Sequence, residues 1–141
     1  SNPSLDILCS FILQTILSIC TLSYKYKISH GDLNTGNILV GKTDKSKIIY
    51  NILDVNYSVP TFGITPKIVD YGRSMIYRNT INELEILDPI IVLLSSISSY
   101  IKHQEIKQNL KTYTENYSGD KETIHKVIMD VRYIFLTTIQ K

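Results

Sequence analysis

The sequence predicts a single α+β domain in which helices dominate and short strands are confined to the stretch between residues 38 and 69. Three observations carry this. Leu5 to Leu22 is strongly apolar, yet Asp6, Ser10, Gln14, Ser18 and Thr21 recur every three to four residues, the helical period. From Ile38 to Val69 the pattern changes to short β-branched and aromatic runs cut by Gly and Pro. From Asp88 onward the helical period returns. At 141 residues the chain is one domain's length, and 43% hydrophobic against 20% charged residues supports a core and excludes disorder. A net charge of +2, from 15 basic and 13 acidic residues, excludes a charge-driven nucleic-acid or membrane-surface binder.

The elements follow in order. Asn2 as N-cap and Pro3 at the first helical position start the Leu5–Leu22 helix. Its polar stripe with a central Gln argues for a core helix rather than a membrane span, and no basic or cleavage-site pattern marks a signal peptide. Cys9 and Cys20 lie inside it and read as small buried hydrophobes of a reducing compartment, not as a disulfide or zinc framework. A connector from Tyr24 to Ser29 leads to a loop at residues 30–37 and an apolar run, Ile38 to Val40. Gly41 to Lys47 is a polar turn with a solvated Lys42, Lys45 and Lys47. Ile48 to Tyr57 is one β-rich segment. Val59 to Pro66, with two prolines and a glycine, is expected to be loop. Lys67 to Val69 is a short strand. Arg73 to Leu87 has no pattern. Asp88 as N-cap and Pro89 at the first position open a helix to Tyr100. Ile101–Tyr113 and Thr123–Thr138 are helical, and Asn116–Asp120 is a turn. His103 and His125, far apart on helical segments, have surface or core roles. The sequons at Asn56 and Asn116 are chance matches. The chain has 23 Ile, 12 Lys and no Ala. We read this as AT-rich coding bias, of the kind seen in some viruses and protists.

The residues that carry chemistry are concentrated in two places. Ile28 to Val40, ISHGDLNTGNILV, holds His30, Asp32 and Asn37 in the spacing H-x-D-x-x-x-x-N, with an apolar strand directly after. Phosphoryl transfer needs a carboxylate that orients and deprotonates the attacking hydroxyl. It also needs an oxygen ligand nearby for the magnesium that neutralises the phosphates. Downstream, Lys67-Ile-Val runs into Asp70-Tyr71-Gly72, a carboxylate at a strand end. The pair, in this order, resembles the catalytic loop and D-F-G motif of the protein-kinase-like superfamily. The resemblance spans Leu5 to about Tyr100. It implies Asp32 as catalytic base, Asn37 and Asp70 as magnesium ligands, and Gly72 as part of the nucleotide-binding motif. His30 would support the loop by bonding to backbone near Asp70. Asp88 resembles the aspartate that holds the catalytic-loop backbone from the helix below, with a plain N-cap as the alternative.

The 33 positions from Asn37 to Asp70 and the "Ile-Val-Asp-Tyr" form of the metal motif look like the divergent haspin-like and giant-virus serine/threonine kinases. Two departures matter. Gly31 replaces the Arg that pairs with an activation-loop phosphate, so control of that kind is not expected. Asn34 stands where protein-serine kinases usually carry a Lys on the γ-phosphate. "His-Gly-Asp-Leu-x-x-Gly-Asn" is equally the style of aminoglycoside and choline kinases.

No Gly-rich loop or strand-borne lysine precedes His30 in this sequence. The resemblance therefore implies the mainly α-helical C-lobe of a kinase-like fold, with the N-lobe absent. Its parts are a catalytic loop at 28–40, a strand insertion at 41–66, a metal motif at 67–72, a short activation segment at 73–87 and helices over 88–141. The implied function is ATP- and Mg2+-dependent phosphoryl transfer to a protein Ser/Thr hydroxyl, with this chain inactive alone. Implied partners are ATP, a protein substrate and a separate N-lobe, or a second copy on the exposed N-lobe-facing surface. The implied compartment is the cytoplasm, or host cytoplasm or virion for a viral protein. The rivals are a small-molecule kinase lobe, a non-catalytic pseudokinase interaction module, and a metal-dependent hydrolase using Asp32 and Asp70.

Overall fold

The computed structural model describes residues 3–78, 80–119 and 121–139. In chain order the elements are α1 (Pro3–Tyr24), β1 (Ile28–Ser29), a 3-10 turn (Thr35–Asn37), β2 (Ile38–Lys42), β3 (Lys47–Ile52), β4 (Val55–Pro60), β5 (Ile64–Ile68) and β6 (Met75–Ile76). Helices α2 (Glu83–Ser98), α3 (Gln104–Glu115) and α4 (Ile124–Ile139) complete the described chain. The strands form three antiparallel pairs, β1 with β6, β2 with β5 and β3 with β4. Ile28 faces Ile76, Ile38 faces Ile68 and Ile52 faces Val55. The fold is α+β, with four helices and short antiparallel strand pairs among the described residues.

Helix α1 is the common scaffold: α2, α4 and at least one strand of every pair pack on it. Among the described residues it is also the one helix long and apolar enough to cross a membrane. Here Ile12, Leu13, Ile16, Leu17, Ile19 and Cys20 are instead buried in the protein core. The polar stripe is the docking seam for the strands. Ser10 Oγ donates to the carbonyl of Pro60 at the end of β4. Gln14 Nε2 donates to Ser10 Oγ and to the carbonyl of Ile64 at the start of β5, both at 3.0 Å. Buried polar groups are tolerated when they find such partners. Gln14 Oε1 is a buried atom without one. Burial pushes the Cys20 thiol up to about 12 and the Cys9 thiol up to about 11, although Arg132 pulls the latter down. Both are unoxidised structural thiols.

Several elements differ from the sequence expectation. The β-rich residues 48–57 divide into two strands, folded at Leu53–Asp54 with φ of 50° and 68°. Positive φ at both central residues gives the turn a twist that suits a two-residue hairpin. Residues 59–66 are not loop throughout, because β4 runs to Pro60 and β5 starts at Ile64. Pro66 lies within a two-stranded sheet, where a missing N–H can face outward. Residues 73–87 contain β6 and the first turn of α2. Asp88 is not an N-cap. Asn82 caps the helix by accepting from the Leu84 N–H at 2.9 Å, and Glu83 and Glu85 favour the positive end of the helix. Pro89 sits inside the helix and removes the N–H that would bond to the carbonyl of Glu85. Burial of Ile86, Leu87, Ile90, Ile91, Leu93 and Leu94 along one face outweighs that loss. The proposed N-cap Asn2 and the turn residue Asp120 lie outside the described residues.

Helix α4 closes the core with Val127, Ile128, Val131 and Phe135, each 1% exposed or less. Glu83 ties it to α2, accepting from the Ile124 N–H at 3.0 Å. His125 bonds the Tyr57 hydroxyl and stacks on its ring, which pins the β3–β4 hairpin to α4. His103 caps α3. Phe135→Ala is expected to cost about 3–5 kcal/mol in urea unfolding, because the cavity can only partly collapse. Ile49→Ala, at a site 60% exposed, is expected to stay within about 0.5 kcal/mol.

Candidate active site

The loop at 30–37 is shaped by two backbone N–H groups that can only donate. The Asp32 N–H donates to His30 Nδ1 at 3.2 Å. Nδ1 is therefore the bare nitrogen, and Nε2 carries the proton that it donates to the Val69 carbonyl at 2.7 Å. The Gly36 N–H donates to Asn34 Oδ1 at 2.9 Å. The other end of that amide, Nδ2, then donates to the Asp32 carbonyl at 3.1 Å and to Asp32 Oδ1 at 3.3 Å. Asn37 Nδ2 donates to the same carbonyl at 2.8 Å and to Asp32 Oδ2 at 3.4 Å. Asn37 Oδ1 is the opposite end of its amide and is not used in these bonds.

Val69 is the link between the two motifs. Its N–H donates to the Asn37 carbonyl at 2.9 Å, and its carbonyl accepts from buried His30. Asp70 is the next residue, one peptide away. It is exposed and has a left-handed backbone, φ 63°, which Asp tolerates better than most residues. Tyr71 packs its ring against His30, with centroids 4.9 Å apart. Thus His30, Asp32 and Asn37 form one bonded loop, and it holds the backbone of Val69, the residue before Asp70. Among the described residues no ion pair engages Asp32 or Asp70.

Gly72 is a central residue of the turn that the Ser74 N–H closes onto the Tyr71 carbonyl at 2.9 Å. Its φ is not positive, and a Cβ there would sit 3.6 Å from Asp70 Oδ1, an ordinary contact. The left-handed residue beside this turn is Asp70, two positions earlier. Gly31 is the glycine the site needs. Its φ is 82°, and a Cβ would meet the Arg73 carbonyl oxygen at 2.3 Å. The sequence shows Gly31 only as the absence of an Arg. Its close approach to a residue 42 positions away leaves no local signal. Asp88 lies in the second turn of α2, where its carboxylate accepts from Tyr117 at 3.2 Å rather than holding the loop backbone. Burial, and then that bond, push the Tyr117 hydroxyl up to about 12. A cavity of about 450 Å3 opens beside the loop, lined by Gly31, Asp32, Leu33, Tyr77, Glu85 and Asp88 among others.

The oxygen donors suit a hard cation. Asn37 offers an amide oxygen and Asp70 an exposed carboxylate, the ligand types that magnesium takes. Among the described residues there is no cluster of three or more His, Cys, Asp or Glu side chains at metal-binding geometry.

No protein-family model matches the chain. Curated relatives match it in part. The haspin serine/threonine-protein kinase homolog of Drosophila melanogaster is 26% identical over 133 residues, 89% of this chain and 24% of that protein. Haspin of Mus musculus is 29% identical over 72 residues, 51% of this chain and 10% of that protein. An uncharacterised protein of Caenorhabditis elegans is 35% identical over 65 residues, 46% of this chain and 22% of that protein. The chain thus spans a quarter or less of the length of these relatives. The similarity is a distant, partial, kinase-like one.

Three glycine substitutions test the geometry. Gly31→Ala is expected to cost at least about 2 kcal/mol in urea unfolding and to shift the NMR resonances of Tyr71 and Arg73. Gly63→Ala, at φ 83° with no atom within 4 Å of the new Cβ, should show only the left-handed strain of about 1 kcal/mol. Gly72→Ala should be close to neutral.

Proposed function

We propose that the chain is the catalytic-loop lobe of a haspin-like protein kinase that transfers the γ-phosphoryl group of ATP to a Ser or Thr hydroxyl. The observation that carries this reading is the double hold on Val69. His30 and Asn37 bond its two backbone groups, which supports a site in which Asp70, the next residue, works with the loop that carries Asp32. A binding module has no need of a loop carboxylate, an amide oxygen and a strand-end carboxylate on two segments tied together in this way. A plain hydrolase would need more metal ligands of its own.

In this reading Asp32 orients the acceptor hydroxyl and takes its proton. The hydroxyl oxygen bonds to the γ-phosphorus while the bond to the ADP oxygen breaks. Asn37 Oδ1 and the Asp70 carboxylate hold magnesium, which offsets the charge of the phosphates. The acceptor approaches through the cavity that Asp32, Glu85 and Asp88 line. A second lobe covers the nucleotide, aligns the γ-phosphate and excludes water. The exposed Leu39 and Val40, which directly follow the loop, suit such a cover.

The test uses the 141-residue chain and a non-hydrolysable ATP analogue with Mg2+, followed by NMR. Weak binding, with Kd of order 1 mM, is expected, with shifts centred on Asn37, Leu39 and Asp70. Asp70→Ala should weaken it at least about tenfold, since it removes a magnesium ligand, and Asp32→Ala should leave it within about twofold, since the base acts on the acceptor. Shifts centred elsewhere, or equal losses from the two variants, would overturn the assignment.

A further inference from the structure

We infer that Asn34 is a positioning residue that aims the Asp32 carboxylate, and not a ligand of the γ-phosphate. This rests on the reading of Asp32 as the base. The argument starts from the amide's orientation, which is not free to choose. The Gly36 N–H can only donate, so the end of Asn34 facing it is the oxygen. Nδ2 is thereby turned inward onto Asp32, at 3.3 Å from Oδ1 and 3.1 Å from the carbonyl. Asn37 Nδ2 approaches the other carboxylate oxygen, Oδ2, at 3.4 Å. The carboxylate lies between two amides, one on each oxygen. Both amides also hold the Asp32 carbonyl, so the backbone and side chain of Asp32 are fixed by the same pair.

Each of these bonds to carboxylate is long and individually weak, but together they limit rotation of the carboxylate about its terminal torsion, which is otherwise soft. Each oxygen keeps a lone pair for an acceptor hydroxyl. A lysine at position 34 could extend to a phosphate. The short Asn34 side chain is engaged at both ends within its own loop. Position 34 thus acts through Asp32.

A cap is the competing role, because Asn34 also caps the 3-10 turn through Gly36. Two substitutions separate the roles. Asn34→Asp keeps an oxygen for the Gly36 N–H and caps equally well. It supplies no N–H to Asp32 and places a second negative charge beside it. Asn34→Ala loses both functions without adding charge. ATP-dependent transfer by the intact protein is expected to fall about tenfold in kcat for Asn34→Ala and further for Asn34→Asp, with KM for Mg-ATP within about twofold of wild type. Wild-type kcat in Asn34→Asp would reduce the residue to a cap. A KM rise of fivefold or more with kcat unchanged would make it a phosphate ligand. Either result overturns the inference. If wild type transfers nothing to any acceptor, the kinase reading has failed and a second measurement decides this one. In the isolated chain, Asp32→Ala should shift the Asn34 side-chain amide protons and speed their exchange. Unchanged Asn34 resonances would overturn the inference.

Discussion

The site depends on one buried imidazole. His30 is 3% exposed and bridges two segments 39 residues apart, by accepting from Asp32 and donating to Val69. Those two bonds require opposite roles of the two ring nitrogens, and a neutral imidazole supplies one of each. The Asp32 N–H sets the tautomer, and the tautomer sets the donor for Val69. Loop and strand end are thus joined through a group whose proton position is dictated by backbone. A polar residue of other shape could make one of these bonds. A planar ring with donor and acceptor at fixed separation makes both. Loss of the ring would leave a buried N–H or carbonyl unpaired, which costs about 1–3 kcal/mol for each.

The strands that carry Asp70 to this ring are themselves held by α1. Its polar stripe does not face solvent. Ser10 and Gln14 are buried and reach the end of β4 and the start of β5. The same helix buries its apolar residues against α2 and α4. One helix therefore fixes the helical core on one side and the strand insertion on the other. β2 pairs with β5 over five residues, from Ile38 against Ile68 to Lys42 against Ile64. That ladder brings Asn37 and Val69 side by side, just past its end.

Much of this was legible because the chemistry-bearing residues are clustered in sequence. His30, Asp32 and Asn37 share one loop, and Asp70 ends an apolar run. The helical period of α1, α3 and α4 was equally plain. What escaped has physical causes. The hairpin turn at Leu53–Asp54 carries no Gly or Asn to announce its positive φ. Pro89 suggested a helix start, but a buried apolar face extending back to Ile86 overrode it. Gly72 sits in the turn expected of it, but the left-handed position beside that turn belongs to Asp70, whose residue type does not announce it. Gly31 and Asn34 read as replacements of Arg and Lys. Their own roles arise from a carbonyl brought in by the fold and from an amide held at both ends.

The left-handed backbone at Asp70 shows how the parts act together. An L-residue there carries strain of order 1 kcal/mol, and such a conformation persists only where its surroundings over-determine it. Both flanks do so. On one side Val69 is bonded through N–H and carbonyl to Asn37 and His30. On the other the Arg73 carbonyl lies against the Cα of Gly31, with no room for a side chain between them. Tyr71 seals the span by packing on His30, and Ser74 closes a turn onto Tyr71. The chain from 69 to 74 is thus anchored at both ends to residues 30, 31 and 37. Between those anchors the chain turns at Gly72–Arg73, and the left-handed Asp70 is exposed. The strain is therefore placed at an exposed residue whose carboxylate is engaged in no ion pair among the described residues, while the neighbours supply the bonds that hold it.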